Sequence, residues 1–174
     1  MSVSMPQWVD RATPNLSKRV KDIRLIVLHH TGGRLPGCLN WLTSKKSRVS
    51  ADFIVSQTGL IYKLNPQLNL YYTWHAGVSL WKRLLEVVRG VNKISIGIEE
   101  EHVPGDAWPA AQVAATAHLC AWLIDRDPRD QLDLAQHPIQ SHRAVAYPPG
   151  RKTDPENFPW ANFSRQVRAL LGVK

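Results

Sequence analysis

The stretch Arg24-Leu25-Ile26-Val27-Leu28-His29-His30-Thr31-Gly32-Gly33 constrains this chain more than any other. Four consecutive apolar residues, two of them β-branched, read as a short buried strand. The strand runs straight into two histidines, a threonine and two glycines, and the glycines let the chain turn away sharply. An imidazole at the tip of a buried strand is held rigidly yet faces a cleft, which suits a metal ligand. A capped strand end with two polar residues is the plainer alternative. The balance shifts with a second segment, His142-Arg143-Ala144-Val145-Ala146-Tyr147-Pro148-Pro149-Gly150-Arg151-Lys152-Thr153-Asp154-Pro155.

Around these two segments the pattern predicts alternating strands and helices. Residues 1–23 read as a loosely ordered lead-in, broken by Pro6 and Pro14, and residues 24–174 as one catalytic-size domain. Leu39, Trp41 and Leu42 after Pro36-Gly37 suggest a short helix. Residues 50–55 and 60–64 read as strands joined by the turn Gln57-Thr58-Gly59, hence a hairpin. Leu80, Leu84 and Val88 sit at helical spacing, closed by Gly90. Ile94, Ile96 and Ile98 alternate with Ser95, Gly97 and Glu99, a period-two strand with an isoleucine face for the core. Pro109 opens a helix to about Arg126, with Val113, Ala117, Cys120 and Ile124 inward. Residues 127–140 read as a loop with a short strand. A last helix starts near Trp160 with Phe163, Val167, Leu170 and Leu171 on one side. Strands separated by helices, with a hairpin inside, predict an α/β fold: a single domain with a mixed central β-sheet flanked by helices.

Composition narrows the function classes. At 174 residues, 44% hydrophobic and 21% charged, the chain suits one ordinary globular domain. No run is long and apolar enough to span a bilayer, and the N-terminus lacks the charged-then-apolar pattern of a secretory signal. The net charge of +8, gathered at Lys18, Arg19, Lys21, Arg24 and at Lys45, Lys46, Arg48, attracts polyanions. Yet no RNP-like motif, zinc finger or basic heptad region accompanies it, so nucleic acid is not expected as a partner. Cys38 and Cys120 belong to no C-x-x-C pair and are expected to be free, buried thiols.

A hydrolytic zinc site needs three protein ligands and one open position. His29, His142 and Asp154 can supply a nitrogen, nitrogen and oxygen set of the kind zinc accepts. The step from His142 to Asp154 is too long for one helix face and fits a loop that returns through Pro148-Pro149-Gly150. A solvated turn is the plainer reading of 151–155. Glu99 lies on the strand face opposite the isoleucines, where a carboxylate could take a proton from water and pass it to a leaving amine. A solvated acidic rim formed with Glu100 and Glu101 is the alternative. Lys152 could stabilise an oxyanion, or simply be a surface lysine. Trp74 and His75, in Trp74-His75-Ala76-Gly77, suit a sugar or peptide cleft, where indole faces stack on sugars and imidazole hydrogen-bonds polar groups. A core role for Trp74 is equally open. His30 reads as structural, and His102, His118 and His137 show no partner pattern.

Taken in order, Val-Leu-His-His-Thr, Ser-Ala-x-x-x-Val, Trp-His-Ala-Gly-x-Ser, Ser-Ile-Gly-Ile-Glu and Ser-His-Arg-x10-Thr-Asp-Pro resemble the type-2 N-acetylmuramoyl-L-alanine amidases. That superfamily includes phage lysozyme-amidases and peptidoglycan recognition proteins. The resemblance runs from about Arg24 to Phe163. It implies one Zn²⁺ in a surface groove and cleavage of the amide between N-acetylmuramic acid and L-alanine in bacterial peptidoglycan. By position it assigns His29, His142 and Asp154 as zinc ligands, Glu99 as the acid/base on water, Lys152 as transition-state stabiliser and His75 as a groove residue. Members often carry His-aromatic after Ser-Ala, where this chain has Asp52-Phe53, and some place a tyrosine where Ala51 stands, so proton transfer falls to Glu99. Asp154 stands where several members have cysteine. Members that bind without cutting lack that ligand, so the complete set implies an active enzyme over a non-catalytic recognition module. A compact, basic, monomeric chain without a signal implies a phage-type endolysin made in the cytoplasm and acting on the wall after release. A cytoplasmic amidase that recycles wall fragments is the alternative.

Overall fold

β-Branched and leucine side chains on both faces of the 25–28 segment leave it no stable place except the middle of a sheet. The computed structural model of the chain, which describes residues 2–83, 86–127, 132–136 and 138–173, puts it there. The strands in chain order are β1 (Trp8–Asp10), β2 (Leu16–Lys18), β3 (Leu25–His30), β4 (Phe53–Val55), β5 (Ile61–Lys63), β6 (Tyr71–Thr73), β7 (Leu80–Arg83), β8 (Glu86–Arg89), β9 (Ser95–Glu100) and β10 (Ile139–Ser141). The helices are α1 (Gly37–Leu42), α2 (Ala110–Asp125), α3 (His142–Val145) and α4 (Trp160–Leu170). Six strands form one sheet in the order β1-β5-β4-β9-β3-β10. Only the β4–β5 hairpin is antiparallel within it; β1–β5, β4–β9, β9–β3 and β3–β10 run parallel. The expected mixed α/β sheet, its hairpin and its flanking helices are all present.

One face of the sheet packs on α2 and α4. Ile26 and Leu28 of β3, Phe53 and Val55 of β4, and Ile96 and Ile98 of β9 meet Val113, Ala117 and Cys120 of α2 and Phe163 and Val167 of α4. Each fully buried Val, Leu, Ile or Phe side chain among them contributes about 1.5–3 kcal/mol. The opposite face carries Leu25 and Val27 against Ala76, Trp81, Val88 and Val145. A third cluster joins Leu39 and Leu42 of α1 to Ile54 and Leu64. Leu170, expected on the inner side of α4, is 42% exposed.

Three expectations change. Residues 80–83 and 86–89 are strands, not helix: β7 pairs antiparallel with β8, and Trp81 stands opposite Val88. Both are buried against β3, and packing of an aromatic and β-branched residues on a sheet overrides the helical spacing. Leu84 lies outside the described residues, as do His137 and 128–131 of the expected loop. Residues 2–23 are tied down: β1 extends the sheet edge, β2 pairs with β6, and Ser2 Oγ and Val3 N–H donate to Asp125. Arg19, counted with the basic surface, is buried and donates to the carbonyls of Leu68, Tyr71, Lys93 and Ser95. Cys38 and Cys120 are free thiols, Cys120 buried and Cys38 half-buried. No helix among the described residues is long and apolar enough to cross a membrane.

Candidate metal centre and active-site cleft

Three adjacent parallel strands bring the predicted residues to one level. His29 of β3 stands opposite Glu99 of β9 in the register. On the other side Ser141, the last residue of β10, pairs with Leu28, and the next residue is His142. The carboxyl ends of parallel strands are where side chains can leave the sheet into a crevice while the core holds their backbones. Ser141 caps α3 by accepting from Ala144 N–H, which turns the chain just as His142 emerges. The Arg143 N–H donates to the Asp154 carbonyl at 2.9 Å, so the returning loop is anchored beside His142.

His29, His142 and Asp154 converge, with their donor atoms all within 4.8 Å of one another, and all three are buried. Asp154 Oδ2 is 3.0 Å from His142 Nδ1 and 3.4 Å from His29 Nδ1. The far nitrogen of His142 lies 3.1 Å from the Ala76 carbonyl oxygen, which can only accept, so Nε2 carries the hydrogen. A neutral His142 therefore aims a bare Nδ1 lone pair at a carboxylate oxygen. Such an arrangement is repulsive on its own, and a divalent cation takes the lone pairs of both imidazoles and the carboxylate together. The residues present thus fit a metal ion, with two imidazole nitrogens and one carboxylate oxygen, and each imidazole has a hydrogen-bonded neighbour behind it.

The electrostatics agree. Burial lowers His29 to about 4 against the pull of its Asp154 contact, which keeps the imidazole neutral, the form a metal requires. Burial alone would raise Asp154, but its approach to His142 and then His29 more than offsets this and holds the carboxyl well below the usual range, so it stays ionised. Glu99 is pushed up to about 8 by burial and then by the charge of Asp154, opposed by Lys152. Its Oε2 is buried with no hydrogen-bond partner. A buried carboxylate oxygen without a donor is costly unless it has a task.

A cleft of about 590 Å³ opens over this cluster, lined by His29, His142, Asp154, Glu99, Lys152, Trp74 and His75. All seven predicted residues therefore face one space. Lys152 is exposed at its edge. Trp74 is half-buried and pinned by its Nε1–H to Ser17 Oγ at 2.9 Å. His75 is buried, and both its nitrogens are engaged inside the protein, with His29 Nε2 and Ser95 Oγ, each at 2.9 Å. Glu100 and Glu101 form no solvated rim: both are buried, Glu100 accepting from Thr116 Oγ1 and Glu101 from the N–H groups of Leu35 and Gln57. Trp41, which the sequence marks only as a helix residue, and Arg34, which it does not mark, also line the cleft. Asp52, at the family's variable position, is buried and accepts from Gly97 N–H, Asn65 and Thr73, a bracing role.

A sequence model of the N-acetylmuramoyl-L-alanine amidase family matches residues 19–157. The chain belongs to this family. It is accordingly an amidase, and its fold agrees with that of solved members. It is similar to a selenomethionine derivative of AmpD, with 26% identity and a TM-score of 0.75, over 100% of this chain and 98% of that one. It is also similar to the N-acetylmuramyl-L-alanine amidase AmiD from E. coli, solved with anhydro-N-acetylmuramic acid-L-Ala-D-γ-Glu-L-Lys. Identity there is 27% and the TM-score 0.68, over 93% of this chain and 59% of that one. The endolysin amidase LysCS of Clostridium intestinale shares the fold, with 20% identity and a TM-score of 0.66, over 99% of this chain and 100% of that one. No curated protein sequence matches the chain.

Proposed function

We propose that this amidase is zinc-dependent and hydrolyses the amide between N-acetylmuramic acid and L-alanine in peptidoglycan. The observation that carries the reading is the convergence of two imidazoles and Asp154 on one point beside a buried, unpartnered Glu99 oxygen. A zinc ion held by His29, His142 and Asp154 would supply Lewis acidity, activating water and polarising the scissile carbonyl. Glu99, with a raised affinity for protons, takes the proton of the attacking water and returns it to the departing amine of L-alanine. Lys152, at the mouth of the cleft, places positive charge where the carbonyl oxygen becomes an oxyanion. Trp74, braced by Ser17, offers an indole face to a sugar ring. Purified peptidoglycan treated with the protein should release L-alanine amino groups, a chelator should abolish this and Zn²⁺ should restore it. Release that persists after complete metal removal refutes the reading.

The setting has two readings, each with its own support. The net charge of +8 favours intact, polyanionic wall and an endolysin role. The similarity to an AmiD solved with an anhydro-muropeptide favours soluble wall fragments and recycling. Sacculi and soluble anhydro-muropeptides offered in parallel separate them: faster turnover of sacculi supports the endolysin and the reverse supports recycling.

A further inference from the structure

Consecutive residues His75 and Ala76 touch both candidate histidine ligands from behind. Hydrogen-bond direction can be traced inward from a fixed end. The Val91 carbonyl only accepts, and Ser95 Oγ lies 2.7 Å from it, so the hydroxyl hydrogen points there. The Ser95 oxygen is then the acceptor for His75 Nε2 at 2.9 Å, which must carry hydrogen. His75 is buried, and among the described residues no carboxylate hydrogen-bonds it, so its ring holds one hydrogen and Nδ1 is bare. That bare nitrogen lies 2.9 Å from His29 Nε2, which therefore donates. A singly protonated His29 is left with its Nδ1 lone pair toward Asp154. The second arm is shorter: the Ala76 carbonyl takes the hydrogen of His142 Nε2, leaving Nδ1 bare. The carbonyl is itself fixed, since Ala76 N–H donates to Asn92 Oδ1 at 2.8 Å and Arg151 donates to the same carbonyl oxygen at 3.0 Å.

Gly97 belongs to this arrangement. A Cβ there would sit 2.4 Å from His75 Cγ, inside any tolerable contact, so the strand is bare where the ring must lie.

We propose that His75 is a positioning residue for the metal centre: through the Val91, Ser95 and His75 chain it fixes the tautomer and orientation of His29. This rests on the metal-dependent reading above and replaces a substrate hydrogen bond from His75, whose nitrogens are both committed. Positioning partners of this kind set metal affinity as well as rate.

The test measures Zn²⁺ affinity of the full chain by competition with a chromophoric chelator, independently of turnover. His75→Ala should weaken binding about 10–100-fold. His75→Asn, whose Oδ1 can occupy the place of Nδ1 and accept from His29, should recover most of that loss. Ser95→Ala, which frees His75 to change tautomer, should fall between wild type and His75→Ala. Unchanged affinity in His75→Ala overturns the proposal, as does a His75→Asn as weak as His75→Ala, which would point to packing alone. Long-range ¹H–¹⁵N spectra of metal-free wild type should show His29 and His142 protonated at Nε2, and a His29 protonated at Nδ1 overturns the proposal without any variant. Wild type that binds no zinc overturns the metal reading itself; wild type that binds, with His75→Ala unchanged, overturns only the inference.

Discussion

Strands β3 and β9 have two largely buried faces that diverge in chemistry toward their carboxyl ends. Toward α2 and α4 they present Ile26, Leu28, Ile96 and Ile98, all at most 1% exposed. Toward the cleft they present His29, Ser95, Gly97 and Glu99, of which only Glu99 is more than slightly exposed. The helix face satisfies itself, because apolar surface needs only neighbours. The cleft face does not: it sets bare imidazole nitrogens against a carboxylate and strands a glutamate oxygen. Its burial is tolerable because the helix face holds the same backbones in register, and a bound cation would resolve the conflict. One face is core along its whole length; the other is core at Leu25 and Val27 and turns to chemistry only at the carboxyl ends of the strands, one residue out of phase.

The comparison can be broken most forcefully at Glu99. Glu99→Gln keeps shape and burial but cannot move a proton, and turnover should fall about 10²–10⁴-fold, the usual worth of a positioned acid/base. Zinc affinity measured alongside should persist, and near-normal turnover would remove Glu99 from the chemistry. Lys152→Met should lower kcat about 10²–10³-fold, the scale of one oxyanion partner, with little change in melting temperature because Lys152 is exposed.

A pH titration of the metal-free protein sharpens the contrast. Glu99 binds its proton more tightly in the fold, at about 8 against an ordinary 4.5, so folding is favoured by this group below 4.5 and the benefit is lost as pH rises toward 8. Glu99→Gln should therefore gain stability relative to wild type across that interval in denaturant melts, and a constant difference would show that Glu99 is not buried as described. The smallest effect belongs to the other face. Ile98→Val, adjacent to Glu99 but turned to the helices, should cost about 0.5–1.5 kcal/mol in stability and leave zinc affinity unchanged.

These two faces were not equally legible. The alternation of Ile96 and Ile98 with Gly97 and Glu99 announces both the strand and its polar side, and β3 announces itself by composition. His29, His142, Asp154, Glu99 and Lys152 were recognisable by residue type and order, and they line one cleft. What escaped reading depended on contacts between distant segments. Arg19 looks like one more surface cation until four carbonyls surround it. Leu80 to Val88 has helical spacing, but Trp81 and Val88 bury themselves on β3 from paired strands. The lead-in has no strong periodicity and is ordered by sheet edges supplied from β5 and β6. Ser95 carries a signal only in hindsight, as the third polar residue on the face of Gly97 and Glu99, and the bracing role of the Ala76 carbonyl has none, because a backbone group leaves no mark in composition.

The central claim is that the cleft face is completed by one divalent cation on His29, His142 and Asp154. Thermal melts of the chelator-stripped chain with increasing Zn²⁺, run beside Asp154→Ala, test it most directly. Wild type should take up one ion per chain and gain stability by mass action, about 2.7 kcal/mol at a hundredfold excess over Kd, while Asp154→Ala gains far less. Equal melting curves with and without zinc, or an Asp154→Ala variant stabilised as much as wild type, would contradict the account.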